Sequence, residues 1–381
     1  MFGLLINRSF CSGLLACAVL SWGSAFAQDT LTIGQVAPLT GVLASTGKQM
    51  VLGGKVWFDA VNERGGVHGA KIRTLVLDDA YKVDETLRLT KELVAKPELL
   101  ALFGFAGSAN VGKLLEDKVL ADAGIALVAP YTGGELLRTP FNPWIFHVRA
   151  GYADEAEHMV KQLNTQGIAR IALLYQNDAF GKSGLTGVES ALQRRGQKLV
   201  ASASYERNTT EVEGAVKLIR AAQPQAVIMV AVNKPAAAFA KQYRESGGGG
   251  QLFNISVVDP AELVKLGGIE NVRGLGISQV VPYPYQRSLP VVREFHEMMK
   301  KYAPNEEVNY TNFEEYLGAK VLVEALRRAG PKPTRARVIS ALESLSNFDL
   351  GGVRMSFGPK ERVGSRFVEV TVINSQGKLL K

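Results

Sequence analysis

Apolar residues follow two alternating textures along this chain. Short runs rich in Val, Ile and Leu are separated by longer stretches whose apolar positions return every three or four residues. The short runs read as strands buried on both faces, and the periodic stretches as amphipathic helices. The first series runs strand 31–36, then a helix through Met50, Gly53, Gly54, Trp57, Ala60 and Val61 that stops at Gly65-Gly66. Strand 72–77, helix 83–95 and strand 99–103 follow. Next come a helix with Val111, Leu114, Leu115 and Val119 on one face and strand 125–129. The pattern then resets, with strands at 144–148, 170–175, 199–205, 226–232 and 253–258. Helices at 155–163, 185–192, 212–222 and 236–244 are interleaved with them. Two series of similar size predict an α/β protein of two doubly wound lobes. The tail is less regular. Prolines 282 and 284 pin an extended crossing over 280–285. Helices at 290–302, 313–329 and 334–345 and short strands at 353–357 and 367–373 exceed the needs of one lobe, so the chain is expected to cross between lobes more than once.

Residues 99–134 concentrate the candidate chemistry. Two strands there end in turns of small and hydroxyl residues, Gly104-Phe105-Ala106-Gly107-Ser108-Ala109-Asn110 and Pro130-Tyr131-Thr132-Gly133-Gly134. In doubly wound sheets ligands collect beyond the carboxyl ends of the strands. Ser108 or Asn110 is expected to cap the following helix, whose N-terminus suits a carboxylate. A binding crevice and an ordinary capped turn both fit this stretch alone.

The N-terminus carries Arg8, an apolar run over 10–20 and Ala25-Phe26-Ala27 before Gln28. That is a signal peptide, 1–27, cleaved after Ala27, and it predicts export to the periplasm. Both cysteines, Cys11 and Cys17, fall inside it, so the mature chain has no thiol, disulfide or cysteine metal site. Leu14-Leu15-Ala16-Cys17 read as a lipoprotein box is the alternative. No later stretch reaches the roughly 18 apolar residues of a membrane span.

At 381 residues, 46% apolar and 21% charged, with 39 Gly for its turns, the chain has ample core for two domains. Its net charge of +8 never gathers into a basic arm, which argues against nucleic acid as a partner. An enzyme would need chemistry that is missing. His68, His147, His158 and His296 show no metal spacing, and there is neither a G-x-S-x-G elbow nor a complete G-x-G-x-x-G after a strand. No cofactor is implied.

Together these residues resemble a known family. Pro38-Leu39-Thr40-Gly41, Gly47, Asn62-Glu63-Arg64-Gly65-Gly66-Val67-His68-Gly69 and Asp78-Asp79 are similar to the N-terminal signature of type I periplasmic substrate-binding proteins of ABC importers, in the leucine/isoleucine/valine-binding branch. Gly104…Ser108, Ala129-Pro130, Asn177-Asp178-Ala179-Phe180-Gly181 and the helix from Tyr310 to Gly318 extend the match over nearly the whole mature chain. The resemblance implies lobe I at 28–147 plus 278–348 and lobe II at 148–277 plus 349–381. A three-segment hinge joins them and a ligand cleft lies between. It implies a monomer that closes on its ligand and docks on an inner-membrane permease. Gly107 and Ser108 would hold a ligand carboxylate, and Tyr131 and Thr132 would contact its polar end. Phe180 would stack on it from lobe II, Tyr152 and Asn233 would line that wall, and Thr46 would approach from the first loop. Amino-acid-binding members place an acid for the ligand ammonium where this chain has Val257. An aromatic or aliphatic organic acid is therefore as consistent with the residues as an apolar amino acid, unless Asp178 or Asp259 substitutes. A ligand sensor on the same fold, feeding a regulator or receptor, is the competing function.

Overall fold

The computed structural model describes residues 1, 2 and 30–381; the expected signal peptide and both cysteines lie outside these residues, apart from Met1 and Phe2. The first half builds one parallel sheet. Its strands are β1 (Thr30–Ala37), β2 (Lys71–Asp78), β3 (Leu99–Phe103), β4 (Leu127–Val128) and β5 (Ile145–Phe146), in the order β2-β1-β3-β4-β5. Helices α1 (Ala44–Glu63), α2 (Val83–Val94), α3 (Ser108–Glu116) and α4 (Val119–Ala123) form its crossovers. Every residue of β1 from Leu31 on is buried, as a central strand covered on both faces requires.

The second half alternates helix and strand in the same way. In chain order it runs α5 (Tyr152–Thr165), β6 (Ile171–Gln176), α6 (Ala179–Gln193), β7 (Ala201–Tyr205), α7 (Glu213–Ala221), β8 (Ala226–Val230) and α8 (Asn233–Glu245). Strand β9 (Gln251–Asn254), helices α9 (Pro260–Gly267) and α10 (Ile269–Val272) and strand β10 (Gly276–Gln279) follow. Then come α11 (Pro290–Tyr302), α12 (Tyr310–Ala329), α13 (Arg335–Glu343), a ribbon of β11 (Phe348–Asp349) and β12 (Arg354–Met355), and finally β13 (Glu369–Ile373) and β14 (Leu379–Leu380). The second sheet has the order β14-β13-β10-β9-β8-β6-β7. It departs from a purely parallel sheet because β13 and β14 add an antiparallel edge.

Helix α12 lies against α1 beside the first sheet. A Cβ at Gly53 would stand 2.1 Å from the Asn312 carbonyl oxygen, so only glycine permits this approach. Trp57 and Phe295 then pack on Tyr316 at ring separations of 5.4 and 4.8 Å.

The chain passes between the sheets after β5, after β10 and before β13. The first and third passages are hydrogen-bonded side by side, with His147 N donating to the Arg362 carbonyl and Gly364 N to the His147 carbonyl, both at 2.8 Å. The third passage comes later than the expected boundary at 348/349. Phe357 packs edge-on against Phe146 at 5.6 Å and Arg362 reaches the Pro143 carbonyl and Glu343, holding the chain beside the first sheet through Gly364. Strand 253–258 also proves shorter than its pattern suggests. It ends at Asn254, whose side-chain amide donates to the Ala231 and Ile255 carbonyls and bends the chain into a loop.

Candidate functional site

The carboxyl ends of the two sets of strands face each other, and the turns beyond them meet at a buried seam. On the first-sheet side, Gly107 precedes α3 with φ of +93°. A Cβ there would come within 2.5 Å of Asn110 Oδ1 and 2.7 Å of the Tyr81 ring, so the turn requires glycine. Neither Ser108 nor Asn110 caps the helix, contrary to the sequence-based expectation: the cap position is Gly107, which has no side chain to give. Ser108 instead lies 2.7 Å from the Thr132 hydroxyl, and Asn110 donates to Thr86 Oγ1 at 2.7 Å. This leaves the first N–H groups of α3 without side-chain caps, next to two hydroxyls that are both fully buried. Two hydroxyls carry two donor hydrogens, and their mutual bond consumes one. The other, with the helix N-terminus, suits a carboxylate oxygen.

The opposite wall is aromatic. Tyr152 opens α5 and Phe180 lies in the first turn of α6; their rings meet edge-on at 5.4 Å. Val257, Tyr131, Tyr152, Phe180, Met50 and Tyr81 belong to one apolar cluster that draws on both halves of the chain. Asn233 donates across the seam to Thr46 Oγ1 at 3.2 Å, and the Tyr131 hydroxyl lies 3.0 Å from Thr311 Oγ1. All nine expected residues, Thr46, Gly107, Ser108, Tyr131, Thr132, Tyr152, Phe180, Asn233 and Val257, are buried along this seam.

The expected set omits Tyr81, Arg207 and Arg149. Arg207, beyond the end of β7, stacks 3.5 Å over the Tyr81 ring and donates to the Tyr81 carbonyl, to Asn110 Oδ1 and to Asp178. It clasps the two halves. It also engages Asp178, whose other oxygen caps α6 through Phe180 N and Gly181 N, so Asp178 is occupied. Tyr81 and Arg207 each follow a strand's carboxyl end, the same signal that marks Ser108 and Thr132, and applying it to every turn finds them.

Beneath the seam Arg149 is wholly buried, with its guanidinium 3.0 Å from Glu155 and 3.3 Å from Glu314, and it also donates to Ser256 Oγ. The same guanidinium lies 5.3 Å from the Tyr131 ring and 5.8 Å from the Tyr152 ring, so it supports both walls of the seam. One cation faces two carboxylates. Burial is the main cause that pushes Glu314 up to about 7, against the opposing pull of Arg149. A carboxyl whose pKa is higher folded than unfolded keeps its stabilising contribution at low pH and loses it as pH rises through the folded value. From its ordinary 4.5 to about 7, this amounts to about 3 kcal/mol. Glu314→Gln should therefore gain stability relative to the unmodified protein as pH rises from about 5 to about 8. Urea denaturation of both at each pH checks this, and a difference that stays constant with pH would show that Glu314 titrates normally.

A family model for periplasmic binding proteins matches residues 30–378. The Leu/Ile/Val-binding protein homolog 7 of Brucella abortus (strain 2308) is 25% identical, covering 91% of this chain and 88% of its own length. A solved substrate-binding periplasmic protein from Ralstonia solanacearum is 38% identical with a TM-score of 0.88, over 92% of this chain and 99% of that one. A branched-chain amino acid ABC transporter structure from Thermus thermophilus with bound valine shares the fold at TM-score 0.82 and 20% identity, over 93% and 95% of the two chains. A match over nearly all the described residues, with the strand ends facing a common seam, settles the assignment: the chain belongs to the periplasmic binding protein family, in its Leu/Ile/Val-binding type, whose members bind substrates rather than transform them.

Proposed function

We propose that this protein is the solute-binding component of an ABC importer, capturing a small amphipathic carboxylate at the seam and delivering it to a membrane permease. Residues 1–27 direct its export and are removed. The mature monomer has two lobes, one on each sheet, that close by bending the three passages between them. The observation that carries this reading is the Ser108–Thr132 hydroxyl pair at the uncapped start of α3, facing the apolar wall of Tyr152, Phe180 and Val257. Hydroxyls and helix N–H groups suit the carboxylate, and the wall suits an apolar or aromatic body. The likeness to a Leu/Ile/Val-binding relative supports an apolar amino acid or a close analogue.

The ammonium side decides between the two. Val257 offers no charge, and Asp178 is committed to Arg207 and to its helix cap. That leaves Asp259, whose N–H donates to Asn233 Oδ1 and whose carboxylate caps α9, as the one acid of the two without an ion pair among the described residues. A buried ammonium without a partner costs several kcal/mol. A thermal-shift panel of leucine, 4-methylpentanoate, phenyl-substituted acids and short dicarboxylates tests the reading, because a ligand bound only by the folded state raises stability by mass action. The des-amino acid should stabilise at least as strongly as leucine. Strong stabilisation by leucine with none by 4-methylpentanoate would show that an acid does meet the ammonium.

A further inference from the structure

A cavity of about 660 Å³ opens on the far side of the seam, between the start of α1, the start of α9 and the 305–309 loop. It abuts the candidate site through Thr46 and Thr311, which line it and bond Asn233 and Tyr131 respectively. One side is an aromatic corner. Tyr283, Tyr285 and Tyr310 stand at mutual ring separations of 5.2, 6.3 and 6.1 Å, with planes at 68°, 75° and 80°. Tyr283 and Tyr285 line the cavity, and Tyr285 is 41% exposed. Tyr310, only 4% exposed, backs this corner from the start of α12, with the Glu369 carboxylate beside its hydroxyl.

The charge around this corner is negative. Asp259, Glu262, Glu306 and Glu307 line the cavity against Lys265 and Lys378. Among the described residues, Asp259, Glu262 and Glu307 make no ion pair. Burial, and then the negative charges of Glu262 and Glu307, raise the Asp259 carboxyl above its ordinary range, although it accepts a hydrogen bond from Glu262 N. A bound cation would relieve that repulsion. Two tyrosine rings lining a cavity beside carboxylates that lack a counter-ion are chemistry that suits an alkylammonium group.

We propose that this cavity is a second binding site, for an organic cation of the methylated or primary ammonium class, separate from the carboxylate site at Ser108. The proposal does not depend on the importer reading. Its test uses choline and the neutral isostere 3,3-dimethylbutan-1-ol, titrated calorimetrically into the mature protein at low ionic strength. Choline should bind saturably, and the isostere should bind at least about tenfold more weakly, since the charge supplies the attraction to the rings. Tyr285→Leu, at a partly exposed position, should weaken choline by about three- to tenfold. Asp259→Asn keeps the α9 cap while removing the charge, and should also weaken it. Ser108→Ala should leave choline affinity unchanged. The proposal is overturned if choline does not bind, if the isostere binds equally well, or if Ser108→Ala weakens choline while Tyr285→Leu does not.

Discussion

Arg149→Met should destabilise the folded protein by about 3–5 kcal/mol, the usual cost of removing one partner from a buried ion pair. Arg149 is wholly buried, and its replacement leaves Glu155 and Glu314 facing each other with no cation between them. Methionine fills similar space, so the loss is electrostatic rather than a cavity. It should appear as a lower urea midpoint. Because two lobes need not unfold together, the midpoint is a firmer readout than an extrapolated free energy. The compensated variant, Arg149→Met with Glu155→Gln and Glu314→Gln, should recover much of the loss, since removing every charge of a buried cluster is often nearly neutral. If Arg149→Met denatures with the unmodified protein, the cluster does not hold the base of the seam.

Ser108→Ala should weaken the carboxylate ligand about 10- to 150-fold, because a hydrogen bond to a charged group contributes about 1.5–3 kcal/mol. The structure sharpens what else should happen. Ser108 is not the α3 cap, and the Thr132 hydroxyl still accepts from Gly134 N at 3.1 Å when the serine is gone. The stability cost should therefore be no more than about 1 kcal/mol, the ordinary net value of one neutral hydrogen bond. Calorimetric titration with whichever acid stabilises best, alongside a melting curve, separates the two effects. An unchanged affinity with a much lower melting temperature would make Ser108 a structural residue.

Much of this was legible in the pattern of apolar residues. Both βα series, the turns at Ser108 and Thr132 and the proline-pinned passage at 280–285 follow from period and punctuation alone, because each is a local property of the chain. What the pattern concealed depends on partners far away in sequence. Glu314 and Glu315 sit within a helical pattern where charged residues ordinarily mark the solvated face, yet both are buried in α12, and Arg149 approaches Glu314 from across the chain. Arg207 looks like one more surface arginine until Tyr81 and Asn110 come to it from the first sheet. The family resemblance puts Tyr152 and Phe180 on the wall, but their helices begin earlier than the apolar period indicates. The Asp154 carboxylate, which accepts from Gly151 N, and the Asp178 cap start α5 and α6 beside the seam and place both rings in their first turns. The late third passage was hidden for a similar reason: nothing local to 349–364 signals that Phe357 will pack on Phe146.

Capture of a carboxylate at the Ser108–Thr132 seam requires the two lobes to close on it. Contacts such as Asn233 to Thr46 and Arg207 to Asn110 join the two sides only when the seam is shut. A ligand that touches both walls stabilises that form by its differential affinity. Small-angle X-ray scattering of the mature protein, freed of ligand and then saturated with the acid that stabilises it best, measures this directly. A smaller radius of gyration is expected with ligand, and a diminished response for Ser108→Ala at the same ligand concentration. A scattering curve that does not change at saturating ligand would contradict closure.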